Sequence, residues 1–464
     1  PGAGRLNNVH INDQALFSMT RRGNAPSMTL EADDIAAQFH ERDGQASIGI
    51  IKAGGAVRWS LPNGPDRLET GGGVFSRSLS ASVLEIIFSE LEDSPESGKA
   101  SGSVVITETL QSLRRSLEAD AVHFRFFTKD SGIRDITAEG RVRIVQQEKD
   151  DSLQGPFTER FRTESDFLTA EFVPNENGSI VRSAAQWGNF RYRDDVRTAS
   201  AGRLDYFAEK SLLALKGDPR IADKRSVTTG DYIEFDRKQN SLLVRGRVRS
   251  ILEPQSGAGS FFHASDLSSP TVVTADELRY WTEIGKFRYS GGVQAVSEKQ
   301  QLRAQRIDVY EHGERVEAEG GVRHLLFFSP SPSASSQMRP APGAAVSPEP
   351  TIIQSDAMRY AQKNGELVYS GNVRLTAEEI SLSSAELDVL SKPGGSAVTQ
   401  AVARGKVVIR RDGFTSTGDT ADWYPENGKL IVVGDPVEMN HPDRGRSYAR
   451  RLTYFQADDR ILLE

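Results

Sequence analysis

Apolar and polar positions alternate strictly through most of the chain, which predicts strands rather than helices. In RIDVYEHGERVEAEGGVRHL, Ile307 and Val309 fall on one face and Asp308 and Tyr310 on the other. Runs such as NSLLVRGRV and GKLIVVGDPV are rich in β-branched residues, which suit a pleated surface. NENG, KNG, PENG and EHG separate the runs, with Gly or Asn supplying positive φ at little cost. Helical periodicity is confined to Leu110–Leu117, a candidate short helix.

The strand pattern repeats. ELRYWTEIGKFRYSGGV, closing at Val293, and AMRYAQKNGELVYSGNV, closing at Val373, share Arg, Tyr, Gly, Tyr, Ser, Gly and Val in register. One unit is an aromatic residue ending a strand, a polar turn, a second strand and a closing Gly-x-Val or variant. Aromatic and Gly are eleven positions apart in Tyr206/Gly217, Phe235/Gly246, Tyr280/Gly291, Tyr360/Gly371 and Trp423/Gly434, and ten in Tyr310/Gly320. Looser copies occupy Phe39/Gly54, Phe126/Gly140 and Phe172/Gly188, and weaker ones close at Gly102 and Gly405. Gly188, Gly217 and Gly246 are successively 29 apart, as are Gly291 and Gly320, and Gly405 and Gly434. The closing Gly lies inside an apolar strand, so it is expected to mark a bend or bulge. Two-strand units cannot bury a face alone and must stack. The predicted fold is therefore all-β, an elongated solenoid or open roll whose end strands expose unpaired backbone.

Three low-complexity inserts interrupt the repeats: EDSPESGKASGS (92–103), EPQSGAGSFFHASDLSSP (253–270) and SPSPSASSQMRPAPGAAVSPEP (329–350). Each reads either as a loop extruded between rungs or as a domain boundary, and the third is expected to be disordered. The layout is 1–150, divergent repeats; 151–328, clear repeats; 329–350, the Pro/Ser/Ala-rich loop; and 351–464, clear repeats, expected to form one continuous stack.

Composition narrows the function. The 464 residues are 37% hydrophobic with mean hydropathy −0.46, enough for a thin core. A net charge of −7 and a pI near 5.7 argue against a nucleic-acid partner. The absence of cysteine removes disulfides, thiolate catalysis and zinc–thiolate sites. No window approaches the ~18 apolar residues of a membrane-spanning helix. The chain starts at Pro1, and a signal peptide or membrane anchor upstream is expected.

Candidate chemistry is sparse. His10, His40, His123, His263, His312, His324 and His441 never fall four apart, so no metal site is expected. Asp33–Asp34, Asp194–Asp195 and Asp458–Asp459 are paired carboxylates, but at different phases of the unit, which suits solvated turns better than a glycosidase groove. AEGGV and YSGGV close strands and lead into no helix, and no P-loop, GxSxG or HExxH occurs. Neither an enzyme nor a cofactor is expected. The remaining asset is the inward face, where Val142, Val248, Val293, Val322, Val373, Val407 and Val437 would align on stacking, beside Ile307 and Val309. Alternation fits a sealed core and an open apolar trough equally well.

The A-D-x-x-x-Y start, the G-x-V close and the variants ALKGDPRI (Ala214–Ile221) and VVGDPVEM (Val432–Met439) resemble the OstA-like repeats of the LptA/LptC family and the LptD amino-terminal domain. The resemblance is clearest from Thr163 to Glu464, while the first 150 residues look more like LptC. It implies a twisted β-jellyroll of stacked V-shaped antiparallel strands in the periplasm. It also implies lipopolysaccharide, through its lipid A, as ligand, and a bridge from an inner-membrane ABC transporter complex to an LptD-like outer-membrane translocon. Jellyrolls of that family join edge to edge, so Val9 and Ile11 at one end and Leu452, Tyr454 and Ile461 at the other are the expected contacts with partner jellyrolls or with further copies of the chain. No catalytic residue is implied. The rivals are a passive β-solenoid with a sealed core and a β-helix acting on polysaccharide.

Overall fold

The computed structural model describes residues 8–19, 28–42, 45–61, 76–89, 94–109, 112–127, 132–149, 155–175, 178–253, 269–298, 300–310, 313–327, 350–377, 380–391, 398–411, 413–443, 445–458 and 460–464. The first strands are β1 (Asn8–Met19), β2 (Met28–Arg42), β3 (Gln45–Leu61), β4 (Ser76–Phe88), β5 (Pro95–Thr109), β6 (Leu113–Phe126), β7 (Ile133–Lys149), β8 (Phe157–Asn175) and β9 (Gly178–Asp194). Next come β10 (Thr198–Phe207), β11 (Leu212–Lys216), β12 (Arg220–Ala222), β13 (Ser226–Thr229), β14 (Tyr232–Asp236), β15 (Ser241–Leu252), β16 (Thr271–Trp281), β17 (Lys286–Val296), β18 (Gln300–Tyr310) and β19 (Arg315–Phe327). The last are β20 (Pro350–Ala361), β21 (Glu366–Thr376), β22 (Ile380–Ser391), β23 (Val398–Arg411), β24 (Phe414–Tyr424), β25 (Lys429–His441), β26 (Gly445–Phe455) and β27 (Arg460–Leu463).

The fold is all-β, and the strands pair antiparallel, in sequence order except between β10 and β15, where β10 pairs with β12, β11 with β14 and β13 with β15. They form two compact units, Pro1–Lys224 with Tyr232–Lys238, and Arg225–Asp231 with Gln239–Glu464. In the first unit β1 to β10 form a meander, and β10 pairs with both β11 and β12. Those two are halves of one strand, interrupted at the Gly217-Asp218-Pro219 of the ALKGDPRI variant. In the second unit β13 pairs with β15, and β15 to β27 form a second meander. β7 and β8 pair across residue 150, Lys149 opposite Phe157, so the change in sequence character there is not a break in the sheet.

Strands are bent at their midpoints, where the closing glycines sit. The β16/β17 register jumps between Thr274 and Glu277, and the β17/β18 register between Ser290 and Val293. Gly291 has φ +83° and Gly292 φ +57°. The same double left-handed step occurs at Gly140–Arg141, Gly188–Asn189, Gly246–Arg247, Gly320–Gly321, Gly371–Asn372 and Gly405–Lys406. Two such residues in succession make a bulge that turns the strand. A Cβ on Gly291 would lie 2.3 Å from the Asp276 carboxylate on β16, so glycine is required there by space as well as by φ.

Each bent strand has two arms, and the arms face one another. Trp59, beyond the bend of β3, stacks on Phe124 at 5.8 Å and meets Phe126 edge-on at 6.1 Å, both from the opposite arm of β6. Phe414 and Tyr454 meet at 5.9 Å across the second unit. Alternation survives the bend, so Tyr289, Val293 and Ala295 all point inward and are buried.

Three expectations need correction. The segment from Leu113 to Leu117 opens strand β6 and is not helical, because ladder pairing with β5 and β7 overrides a weak local period. The insert 92–103 is mostly strand β5, not an extruded loop. Its small residues are a packing requirement, since a Cβ at Gly98 would lie 2.2 Å from the Phe124 ring. Asp308 does alternate away from Ile307 but is only 2% exposed. Arg288 donates to both its oxygens at 2.8 Å and Lys286 lies 3.2 Å away, so long side chains lying over the sheet cover it. The Pro-rich segment 329–349 and residues 254–268 lie outside the described residues.

Candidate interior groove

The valines two positions past the bends, and Val437 three past Gly434, are buried. Val142, Val248, Val293, Val373, Val407 and Val437 are at most 1% exposed, and Val322 is 2%. Ile307 and Val309 are also buried. The Gly-plus-two rule adds three residues that the sequence reading passed over: Val57, Val104 and Phe190, all buried. Val57 escaped because the left-handed glycine of its copy is Gly55, not Gly54. In each unit these side chains are closed to water.

Two polar ties cross this interior in the second unit. Tyr369 on β21 and His324 on β19 are hydrogen-bonded, Oη to Nδ1, at 2.7 Å. Tyr289 on β17 is hydrogen-bonded to Ser250 on β15, and Ser250 lies 3.0 Å from Thr228 of β13. Each tyrosine stands two residues before a bend glycine, and each partner stands four after an earlier one, Gly246 or Gly320. Burial raises the Tyr289 phenol to about 12, against a smaller lowering by Ser250, and raises Tyr369 further, so both stay neutral. Their signal in the sequence was the recurring YSG of both quoted copies.

The outer side of the bends is charged and internally paired. Arg141 donates to Asp120 at 2.9 Å, Arg247 to Asp231 at 2.8 Å, Asn189 to Asp166 at 2.8 Å and Asn372 to Asp356 at 2.8 Å. The A-D start of the repeat is therefore the partner of the closing glycine on the next strand. The Arg141 hydrogen bond holds Asp120 below the ordinary carboxylate value, against slight desolvation. An open groove of about 510 Å³ runs along the bends of β5 to β9, lined by Asp120, Arg141, Asp166, Asn189 and Arg191 among others.

The remaining candidates are scattered. Asp33 faces the Gly55 bend, Asp194 accepts from Tyr192 and from the Val196 and Arg197 amides of a turn, and Asp458 pairs with Arg460. These places do not converge on one groove. Asp34 sits on β2, exposed; Asp459, His263 and His312 lie outside the described residues. Among those described, no group of three or more His, Asp or Glu is arranged to hold a metal, and no helix is long and apolar enough to cross a membrane.

At the ends, β1 pairs with β2 and carries Val9 and Ile11, the latter 37% exposed. Leu452 and Tyr454 are not at a free edge. β26 is paired there with β25 and also with β27, Leu452 opposite Leu463 and Tyr454 opposite Ile461, and both side chains are buried. The last residues fold back over β26, leaving β27 with Ile461 as the outer strand.

These features define a class: an all-β protein of antiparallel strands bent at a Gly–Asp corner around a closed apolar interior. Within it, residues 352–464 match the family described as "LptA/(LptD N-terminal domain) LPS transport protein", which bears out the resemblance over that segment. The bend with Val two residues on is present at Gly371 and Gly405 inside the match, and at Gly140, Gly246, Gly291 and Gly320 outside it. No curated protein matches the chain. Among solved structures, one similar chain is LptH of Pseudomonas aeruginosa, "the LptA homologous periplasmic component of the conserved lipopolysaccharide transport device". It is 11% identical with a TM-score of 0.24, over 34% of this chain and 92% of that one.

Proposed function

We propose that this chain is a periplasmic lipopolysaccharide transport protein, whose interior receives the acyl chains of lipid A while other jellyrolls continue the path. The family match over 352–464 carries this reading, and the buried inward valines of each unit support it. An exposed methylene costs about 0.8 kcal/mol in water, so a twelve-carbon chain represents roughly 9 kcal/mol and needs a covered route. Similar rungs offer such a chain similar sites, so it slides with small free-energy steps. Direction must then come from an energised partner, for which an inner-membrane ABC transporter is the proposed source and an LptD-like translocon the proposed recipient. The edges β1 and β27 are the proposed contacts with those jellyrolls, or with another copy of the chain, through strand addition. The arms must part to admit a lipid, because the valines have no access as they stand.

A second reading is a passive β-repeat protein with a permanently sealed core, favoured by that same closure. Photo-crosslinking separates the two. A photoreactive residue at Val322, Val373 or Val407, with the exposed neighbour Arg323 as control, should yield lipopolysaccharide adducts at the valines and none at Arg323. Folded protein giving no valine adduct would establish the sealed core.

A further inference from the structure

Ser416 and Gln300 are also buried in the second unit, but Tyr289–Ser250 and Tyr369–His324 are hydrogen-bonded ties that join opposite arms through a tyrosine. All four side chains are at most 4% exposed. Both ties occupy the same place in the repeat, on strands four apart, or roughly 19 Å along the stack. At the equivalent positions of the copy between them the chain has Ala318 and Ala295, also fully buried. Polar ties and an alanine rung thus alternate where alternation of any large apolar pair would have sealed the core equally well.

A buried hydroxyl that loses its partner is penalised, whereas one that exchanges partners is not. An acyl chain entering between the arms must break these ties. A plain hydrocarbon then leaves the phenol and its partner stranded, while a chain bearing a hydroxyl at that depth re-satisfies them.

Resting on the lipid-groove reading, we infer that the two ties are polar stations that hold the empty arms together and select acyl chains carrying a hydrogen-bonding group along their length. Ser250 and His324 are the positioning partners; the tyrosines make the contact.

The test compares tetradecanoate with 3-hydroxytetradecanoate, equal in length and head group, by displacement of a fluorescent fatty acid from the full chain. The parent protein should bind the hydroxy acid about fivefold or more tightly, one hydrogen bond's worth. Tyr289→Phe combined with Tyr369→Phe keeps both rings and should bring the ratio to about one by the same reasoning, chiefly by tightening the plain acid, since no tie then has to break. Tyr369→Phe alone removes one of the two contacts and should give an intermediate ratio, which covers failure of the double variant to fold. A parent protein without preference, or variants that retain it, overturns the stations alone. A parent that binds neither acid overturns the lipid-groove reading together with them.

Discussion

Asp308 illustrates how one residue's neighbours decide its role. Burial opposes its charge, but the Arg288 hydrogen bonds and the Lys286 ammonium outweigh that and hold its carboxyl below the ordinary 3.8. A carboxylate with a lowered folded value adds stability above its unfolded value, and that stability is lost as pH falls from about 4 through the folded value. Asp308→Asn should therefore be destabilised at pH 7, by about 1–3 kcal/mol, and the difference from the parent should shrink below pH 4. Urea midpoints between pH 7 and pH 3 measure this; a constant difference would show that the ion pair is not the cause. Alternation told correctly which side Asp308 leaves the sheet. It did not tell that Arg288 and Lys286 would lie over it, because they come from the neighbouring strand.

At the scale of elements, the bent strand was legible wherever glycine, aromatic and valine kept their spacing. It was illegible in β5, where PESGKASGS looks like linker. Gly98 faces Phe124 directly across the ladder, and that ring needs the volume a side chain would take. Gly98→Val raises local β propensity yet should destabilise the protein by about 1–3 kcal/mol through overpacking, read from the thermal or urea midpoint. A stabilised variant would mean that β5 is limited by propensity and not by the Trp59–Phe124–Phe126 cluster. β6 shows the converse case, where a brief helical period yields to pairing on both sides.

Across the whole molecule, a rung in the middle of a meander is paired on two sides and a terminal rung on one. Opening free energies should fall toward β1 and β27. In hydrogen exchange the amides of β1 should exchange faster than those of β4 to β7; equal protection would indicate that β1 is covered by another chain in solution. The sequence by itself determined the all-β class, the two-strand unit, the bend glycines and the inward valines, since each depends on residues close together in the chain. Spacing along one unit records its local conformation directly. Only the tertiary structure decided that Asp is the partner of the next strand's glycine, that Leu452 and Tyr454 are interior, and that Tyr289 and Tyr369 tie the arms together. Those contacts join residues from different strands, 16 to 45 positions apart in the Asp356–Asn372 and His324–Tyr369 cases, and register between strands is fixed only when the arms close over a shared core.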